Sequence, residues 1–195
     1  MKKIFILLIV FAITSCKKQQ SSDEEPRDYT QEVNAIIMQD KPFFDFDEVV
    51  HYEFPLSETE FLTLMQTENK TEKEKQLSLF FSDECPKTPK EIDNFCKVIE
   101  LFKENKNLIA PNYITEMKQI FSEKKCNDIS IAACAPIYRD IFIFRKKEKN
   151  IGIIKLCFDC SLSIASNDKA IIDCFGMNGE YSKLRKVLDA NKPHN

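Results

Sequence analysis

The chain is poor in the residues on which many nucleotide and nucleic-acid sites depend. It has three glycines, two histidines and no tryptophan in 195 residues. The run from Gly176 to Gly179 lacks the Lys-Ser/Thr pair of a phosphate-binding P-loop and the basic surroundings of an RNA-binding loop. A net charge of -3 without a basic stripe argues against a nucleic-acid partner. We therefore expect the two glycines only to permit a strand-to-helix turn.

The scarcity of histidine also limits nucleophilic catalysis. A Cys–His or Ser–His pair would have to use His51, because His194 is next to the last residue, where chains fray. His51 falls among the polar positions of an alternating segment, which predicts an exposed histidine. A hydrolase that uses His51 would need a carboxylate and a nucleophile beside the ring. Asp45, Asp47 and Glu48 lack the glycine-bearing loop of a calcium site, so they predict a solvated acidic edge.

Long apolar runs are absent except near the N-terminus. Ile4–Ile13 is an unbroken apolar run, but a membrane span needs about 20 such residues. Lys2 and Lys3 precede this run, as in the core of a signal peptide. The segment Ile-Thr-Ser-Cys, which ends at Cys16, follows it. This order of features resembles the lipobox signal of bacterial lipoproteins.

The resemblance implies that residues 1–15 are a cleaved signal peptide and that Cys16 carries acyl chains. Two or more chains anchor a protein stably, since each buried CH₂ contributes about 0.8 kcal/mol. The alternative is an ordinary secretory signal with a chance cysteine. The implied location is the cell envelope, lipid-anchored at the outer membrane and facing the periplasm or the cell surface. The membrane would then be a partner through Cys16.

Residues 16–29 are predicted to form the lipidated cysteine and a disordered tether. The segment Lys17–Asp28 has no apolar residue to bury, and its end-to-end distance would be about 20 Å. Lys17 follows the cysteine, so no inner-membrane retention signal is seen. Ser22–Glu25 loosely resembles the acidic patch of some surface lipoproteins. Residues 30–195 are then expected to form a single globular domain.

The most informative stretch of that domain is Ile137–Cys160, which predicts a β-hairpin. Two apolar, β-branched segments flank the charged run Arg145–Asn150. Pairing Arg145 with Asn150 would place Asp140 opposite Lys155, an oppositely charged cross-strand pair. In this register one apolar face is shared by Ile137, Ile141, Ile143, Ile154, Leu156 and Phe158. The charged run itself is expected to be a solvated loop.

Other segments predict strands and helices around this hairpin. Strands are expected within residues 43–54, near residues 162–165 and near residues 170–175, with a turn at residues 166–168. Capping boxes begin at Ser57, Thr71 and Thr88, and the last is followed by Pro89 at the first helical position. Further helices are predicted at residues 30–39, 112–125 and 179–190. The fold class is α+β, with helices packed on a small antiparallel sheet centred on residues 137–160.

Cysteines are the strongest candidates for chemistry. Seven remain once Cys16 is assigned to lipid, so at least one is unpaired if the rest form disulfides in an oxidising compartment. Cys96 lies on the apolar stripe of its helix and predicts a small hydrophobic residue. Cys157 and Cys160 form a C-x-x-C motif, typical of a redox pair or half of a zinc site. In a straight strand these two would be too far apart for a disulfide, so the motif requires a turn at residues 158–160.

Any functional cysteine cluster should therefore combine Cys134, Cys157, Cys160 and Cys174. Structural cysteines are the simplest interpretation, and a zinc site or a thiol-redox centre is the alternative. We assign no catalytic residue and no cofactor from the sequence. The first functional hypothesis is a non-enzymatic envelope lipoprotein that binds a protein or a small ligand. That hypothesis predicts an exposed apolar patch or groove on the domain.

Overall fold

The computed structural model describes residues 38–124, 134–166 and 172–192. The signal peptide, Cys16, the tether, Cys126 and His194 lie outside these ranges. The described residues form an α+β fold with five α-helices and two antiparallel sheets. The strands are β1 (Met38–Pro42), β2 (Glu48–Glu53), β3 (Lys106–Leu108), β4 (Ser122–Lys124), β5 (Asp140–Lys146), β6 (Lys149–Cys157) and β7 (Leu162–Ala165). The helices are α1 (Glu58–Gln66), α2 (Glu72–Phe81), α3 (Pro89–Ile99), α4 (Ile114–Ile120) and α5 (Glu180–Asn191).

The main sheet has the strand order β3-β2-β5-β6-β7, and β1 pairs with β4 in a separate two-stranded sheet. The predicted hairpin is its centre, formed by β5 and β6. Its loop is tighter than expected, because only Lys147 and Glu148 connect the strands, both with positive φ. Such a turn matches the twist of paired strands.

The predicted hairpin register is correct at the loop and wrong beyond it. Arg145 pairs with Asn150 as expected, but the register shifts after Phe144, which pairs with Gly152. Ile151 is therefore an extra residue, as in a β-bulge. Past the bulge Lys155 lies opposite Ile141, and the predicted Asp140–Lys155 pair does not form.

Both faces of the main sheet are buried, which corrects the single apolar face predicted for the hairpin. On one face β5 and β6 pack towards α4 and α5; on the other they pack towards α1, α2 and α3. The first face carries Phe142, Phe144, Ile154 and Leu156. The second carries Ile141, Ile143 and Ile153. Alternate side chains of a strand point to opposite faces, so a one-residue shift exchanges the two sets.

The three predicted capping boxes are confirmed as helix starts. Ser57, Thr71 and Thr88 each form a complete capping box, and Pro89 occupies the first turn of α3. Each box satisfies two backbone N–H groups at a helix end that would otherwise lack partners. The predicted apolar stripe of α3 is buried; its members are Ile92, Phe95, Cys96 and Ile99.

Four predicted elements differ from the structure. Met38 and Gln39 belong to β1, not to a helix. The helix predicted at residues 112–125 spans only Ile114–Ile120, and Lys124 lies in β4. The Lys124 Nζ donates a hydrogen bond to the Gln119 carbonyl near the end of this helix. The third predicted strand, near residues 170–175, is not present in its described part, because residues 173–175 form a turn. Strand β2 is also shorter than predicted, and both of its faces are buried.

None of the helices in the described part of the chain is long and apolar enough to cross a membrane.

Candidate functional site

A polar cavity of about 230 Å³ lies where the C-terminal end of β2 and the N-terminal end of β5 meet the C-terminal half of α5. Strands β2 and β5, the turn after β6 and the last turns of α5 supply its walls. Charged side chains reach it from all of these elements, so oppositely charged groups are concentrated around one concave space that is partly open to solvent. It is the best-formed candidate site among the described residues, since small-ligand sites are concave and carry a few converging polar groups.

His51 is buried in the wall of this cavity, and the prediction that it is exposed is wrong. The residue is only 2% exposed, and its Nε2 lies 2.8 Å from Asp140 Oδ1. The ring stacks on Phe142 at a centroid distance of 4.5 Å. The sequence pattern did not predict the burial of His51 because helices cover both faces of β2. The alternate positions that carry its polar residues therefore do not face water. The Asp140 carboxylate, predicted to pair with Lys155, orients His51 instead.

The other charges around the cavity form two ion pairs. Arg139 contacts Asp159 at 2.6 Å, and its Nε also donates to the Leu56 carbonyl. Near the end of α5, Lys192 contacts Asp189 at 3.0 Å. Each pair neutralises itself, so neither contributes a net charge to a ligand.

Two charged residues of the cavity lining take part in none of these pairs: Arg185 and Glu53. The Arg185 guanidinium lies 4.3 Å from the centre of the Phe158 ring, a cation–π geometry that orients its plane. Within residues 38–124, 134–166 and 172–192, no carboxylate forms an ion pair with Arg185 and no cation forms one with Glu53. Among the described residues, one positive and one negative group, both exposed to solvent, therefore line the same cavity without an ion-pair partner.

The described cavity wall contains a His–carboxylate pair but no hydroxyl or thiol nucleophile. None of the described lining residues is Ser, Thr or Cys. The His51 hydrolase hypothesis required a carboxylate and a nucleophile beside the ring, and only the first is present in the described wall. The arrangement suits binding of a charged ligand better than covalent catalysis.

The cysteine cluster is only partly assembled. Cys134 and Cys160 form a disulfide with a Cα–Cα distance of 5.8 Å. Cys174 is also disulfide-bonded, whereas Cys157 is a buried thiol. Residues 158–161 form the turn that the C-x-x-C motif requires. Disulfide bonds occupy three of the four cysteines that the zinc hypothesis would use, and the described residues contain no group of three or more metal-ligating side chains.

Cys96 behaves as predicted, as a small apolar residue. It is 3% exposed on the buried stripe of α3. Burial raises the pKa of its thiol to about 12. The thiolate is the reactive form of cysteine, so Cys96 is expected to be inert.

Lys155 is a functional candidate that the sequence did not reveal. Its side chain is fully buried, and its Nζ donates to the Ser82 carbonyl and, at 2.6 Å, to the Glu84 carbonyl. The ammonium also lies 5.4 Å from the centre of the Tyr138 ring. Burial lowers the pKa of Lys155 to about 8. The predicted register had placed this lysine beside Asp140, so no sequence signal suggested a buried amine.

The acidic residues just before and at the start of β2 hold the hairpin loop and are not merely solvated. Glu48 contacts Arg145 at 3.0 Å, and Asp45 contacts Lys146 at 3.0 Å. Asp47 accepts a hydrogen bond from the backbone N–H of Lys147. The charged loop predicted to be free of partners is thus held to β2 by this acidic segment.

An apolar groove lies between the end of α2 and the outer side of α3. Its floor includes Leu79, which is 46% exposed, together with Phe95 and Val98. Asp83 and Glu91 stand at its rim. The binding-protein hypothesis predicted an exposed apolar surface of this kind, and the described part of the domain has one.

We compared the chain with protein families, with characterised proteins and with solved structures, and none of them matches it.

Proposed function

We propose that this chain is a lipid-anchored protein of the bacterial cell envelope and that its α+β domain binds a small zwitterionic ligand in the polar cavity. The anchor is inferred from the lipobox-like segment that ends at Cys16. The observation that carries the binding function is the pair of unmatched charges, Arg185 and Glu53, at one cavity. We assign no catalytic residue to the cavity.

The size and charge of the cavity define the ligand class. A volume of about 230 Å³ is below the usual range of roughly 300–1,000 Å³ for ligand pockets, which favours a small molecule. An anionic group on the ligand would meet the Arg185 fork, which presents several N–H donors in one plane. A cationic group would meet Glu53. Free amino acids and short peptides carry both groups.

Ligand binding is tested with the full-length chain in detergent and a panel of free amino acids and dipeptides. The same compounds with an acetylated amine or an amidated carboxylate serve as blocked probes. At least one free compound should bind in calorimetry, and blocking either end should weaken binding about tenfold or more, because each charged hydrogen bond contributes about 1.5–3 kcal/mol. If no free compound binds, or if blocked and free forms bind equally, the proposed ligand class is wrong.

The Arg185→Gln variant should weaken binding of the best free compound by about tenfold, since the substitution keeps the length but removes the charge. Lys186→Gln is the matched control, because Lys186 is an exposed neighbour on the same helix that does not line the cavity. Glu53→Gln should weaken binding similarly and should abolish the preference for a free amine. Equal losses in Arg185→Gln and Lys186→Gln would indicate a general charge effect and would contradict the assigned site.

The proposed lipid anchor predicts that removing Cys16 changes the cell fraction in which the protein is found. The Cys16→Ala variant should move the protein from the membrane fraction to the soluble fraction, because no acyl chain can then be attached. Mass spectrometry of the wild-type N-terminus should show an acylated cysteine at position 16. Recovery of the unprocessed, unacylated wild-type chain in the soluble fraction would refute the anchor. Ligand binding in the cavity does not depend on this result.

A further inference from the structure

Three cysteine sulfurs converge at the turn that follows β6. Cys160 is bonded to Cys134, which is exposed at the surface. Cys157 packs with Cys160 and Tyr138 in a small buried cluster and keeps its thiol. Residues 158–161 form a turn, and a turn brings residues three apart to within about 7 Å. This spacing is compatible with a disulfide between Cys157 and Cys160.

The buried thiol also has a cationic neighbour. Lys155 precedes Cys157 by two residues on the same strand, so both side chains point to the same face of the sheet. The Lys155 ammonium lies over the Tyr138 ring, and Tyr138 packs against Cys157. Lys155 and Cys157 therefore both pack against the Tyr138 ring. The segment after α2 places three further ionisable residues near the Lys155 ammonium: Asp83, Glu84 and Cys85.

We propose that Cys134, Cys157 and Cys160 form a thiol–disulfide exchange site, in which Cys157 displaces Cys134 from Cys160. The Cys157 thiolate attacks the sulfur of Cys160, the Cys134–Cys160 bond breaks, and a Cys157–Cys160 bond forms. The electron pair leaves on Cys134, which takes up a proton, so the number of thiols and disulfides is unchanged. The exchange needs no external oxidant or reductant.

Exchange transfers reactivity from the interior to the surface. Cys157 is 2% exposed and cannot be reached by a partner, whereas Cys134 is exposed. The released Cys134 thiolate can then attack a disulfide of a second molecule, forming a mixed disulfide and releasing the other half as a thiol. The substrate class is therefore an accessible disulfide. This activity is separate from ligand binding in the polar cavity.

Lys155 has a positioning role in this scheme. A lysine whose pKa lies near 8 is partly neutral in mildly alkaline solution and can take up the proton of a neighbouring thiol. The Lys155→Met variant should therefore slow the exchange, on the order of tenfold, and should alter its pH profile between about pH 7 and 9. A purely structural lysine would change stability without changing the pH profile.

The test treats the oxidised full-length chain with a dithiobis-nitrobenzoate reagent, which is itself a disulfide, and maps the products by peptide mass spectrometry. Wild-type protein should carry the label on Cys134 and contain a Cys157–Cys160 disulfide. Cys157→Ala should lose the Cys134 label by at least about tenfold, since nothing then displaces Cys134. Cys96→Ala is the matched control, because it removes another buried thiol outside the cluster, and its labelling should equal wild type.

The Cys134→Ser variant provides an independent measurement that does not require Cys157→Ala to fold. With glutathione disulfide as oxidant it should form the Cys157–Cys160 disulfide. Finding Cys160 bonded only to glutathione, with Cys157 still a thiol, would overturn the proposal. Undiminished labelling of Cys134 in Cys157→Ala would overturn it as well.

Discussion

The Gly152→Ala variant should have a free energy of unfolding lower than wild type by about 3 kcal/mol, at the upper end of the cost of overpacking a core. A methyl group at Gly152 would collide with the Phe44 ring. That ring is only 8% exposed and packs against Phe144 at a centroid distance of 5.0 Å, so moving it would disturb a core contact. Urea denaturation measures the change.

Gly179→Ala is the control for this prediction. An added methyl group there meets no atom within 4 Å, but φ is +75°, so only backbone strain opposes it. That strain should cost about 1–2 kcal/mol. The stability loss in Gly152→Ala is thus expected from a steric collision, and the loss in Gly179→Ala from backbone strain. If the two variants lose the same stability, the collision with Phe44 does not set the cost.

A double variant isolates the contact. Phe44→Ala should itself lower the free energy of unfolding by about 3–5 kcal/mol. Once the ring is absent, Gly152→Ala should cost much less, giving a coupling energy of roughly 1–3 kcal/mol. Additive losses would show that the two positions do not share a contact. The glycine matters because it directly follows the bulge at Ile151, which sets the register of every residue towards the C-terminal end of β6.

Lys155 should make the protein more stable as the pH rises through the mildly alkaline range. The pKa of Lys155 falls from 10.5 to about 8 in the folded chain, chiefly because burial disfavours the charged amine. Between these values the unfolded chain binds more protons than the folded chain, so the free energy of unfolding increases with pH. The lysine should contribute about 2 kcal/mol of added stability between about pH 7.5 and 9.5.

The measurement compares wild type with Lys155→Met by urea denaturation across this range. The variant lacks the titrating amine. The free energy of unfolding of wild type minus that of the variant should therefore increase as the pH rises. Lys149→Met, at an exposed position of the same strand, should follow the wild-type slope. Burial raises the pKa values of Tyr52 and Tyr181, so these groups do not titrate inside the window. Parallel curves for wild type and Lys155→Met would contradict the prediction.

Local chemistry was sufficient to predict where helices begin. Ser57, Thr71 and Thr88 cap their helices as expected, because a capping box is complete within four residues and needs no distant partner. The last helix, α5, was likewise predicted from the spacing of its apolar residues. The α+β class followed from an alternating strand pattern beside amphipathic helices.

The candidate sites could not be predicted in the same way. His51 was expected in solvent because its neighbours alternate in polarity, yet α5 and the preceding segments bury that face of β2. Asp140 and Lys155 were expected to face each other, but the bulge sends Asp140 to His51 and Lys155 to the Ser82 and Glu84 carbonyls. The C-x-x-C motif was visible, but the partner of Cys160 depended on a residue 26 positions away.

The amino-acid sequence by itself determined the helix caps, the hairpin, the fold class and the expectation of a lipid anchor at Cys16. These depend on neighbours a few residues apart, whose interactions are the same in any fold. Tertiary structure alone decided which charges are paired, which thiol is buried and which side of each strand meets water. Burial and ion pairing arise between residues distant in the chain, and one extra residue in a strand is enough to exchange its two faces.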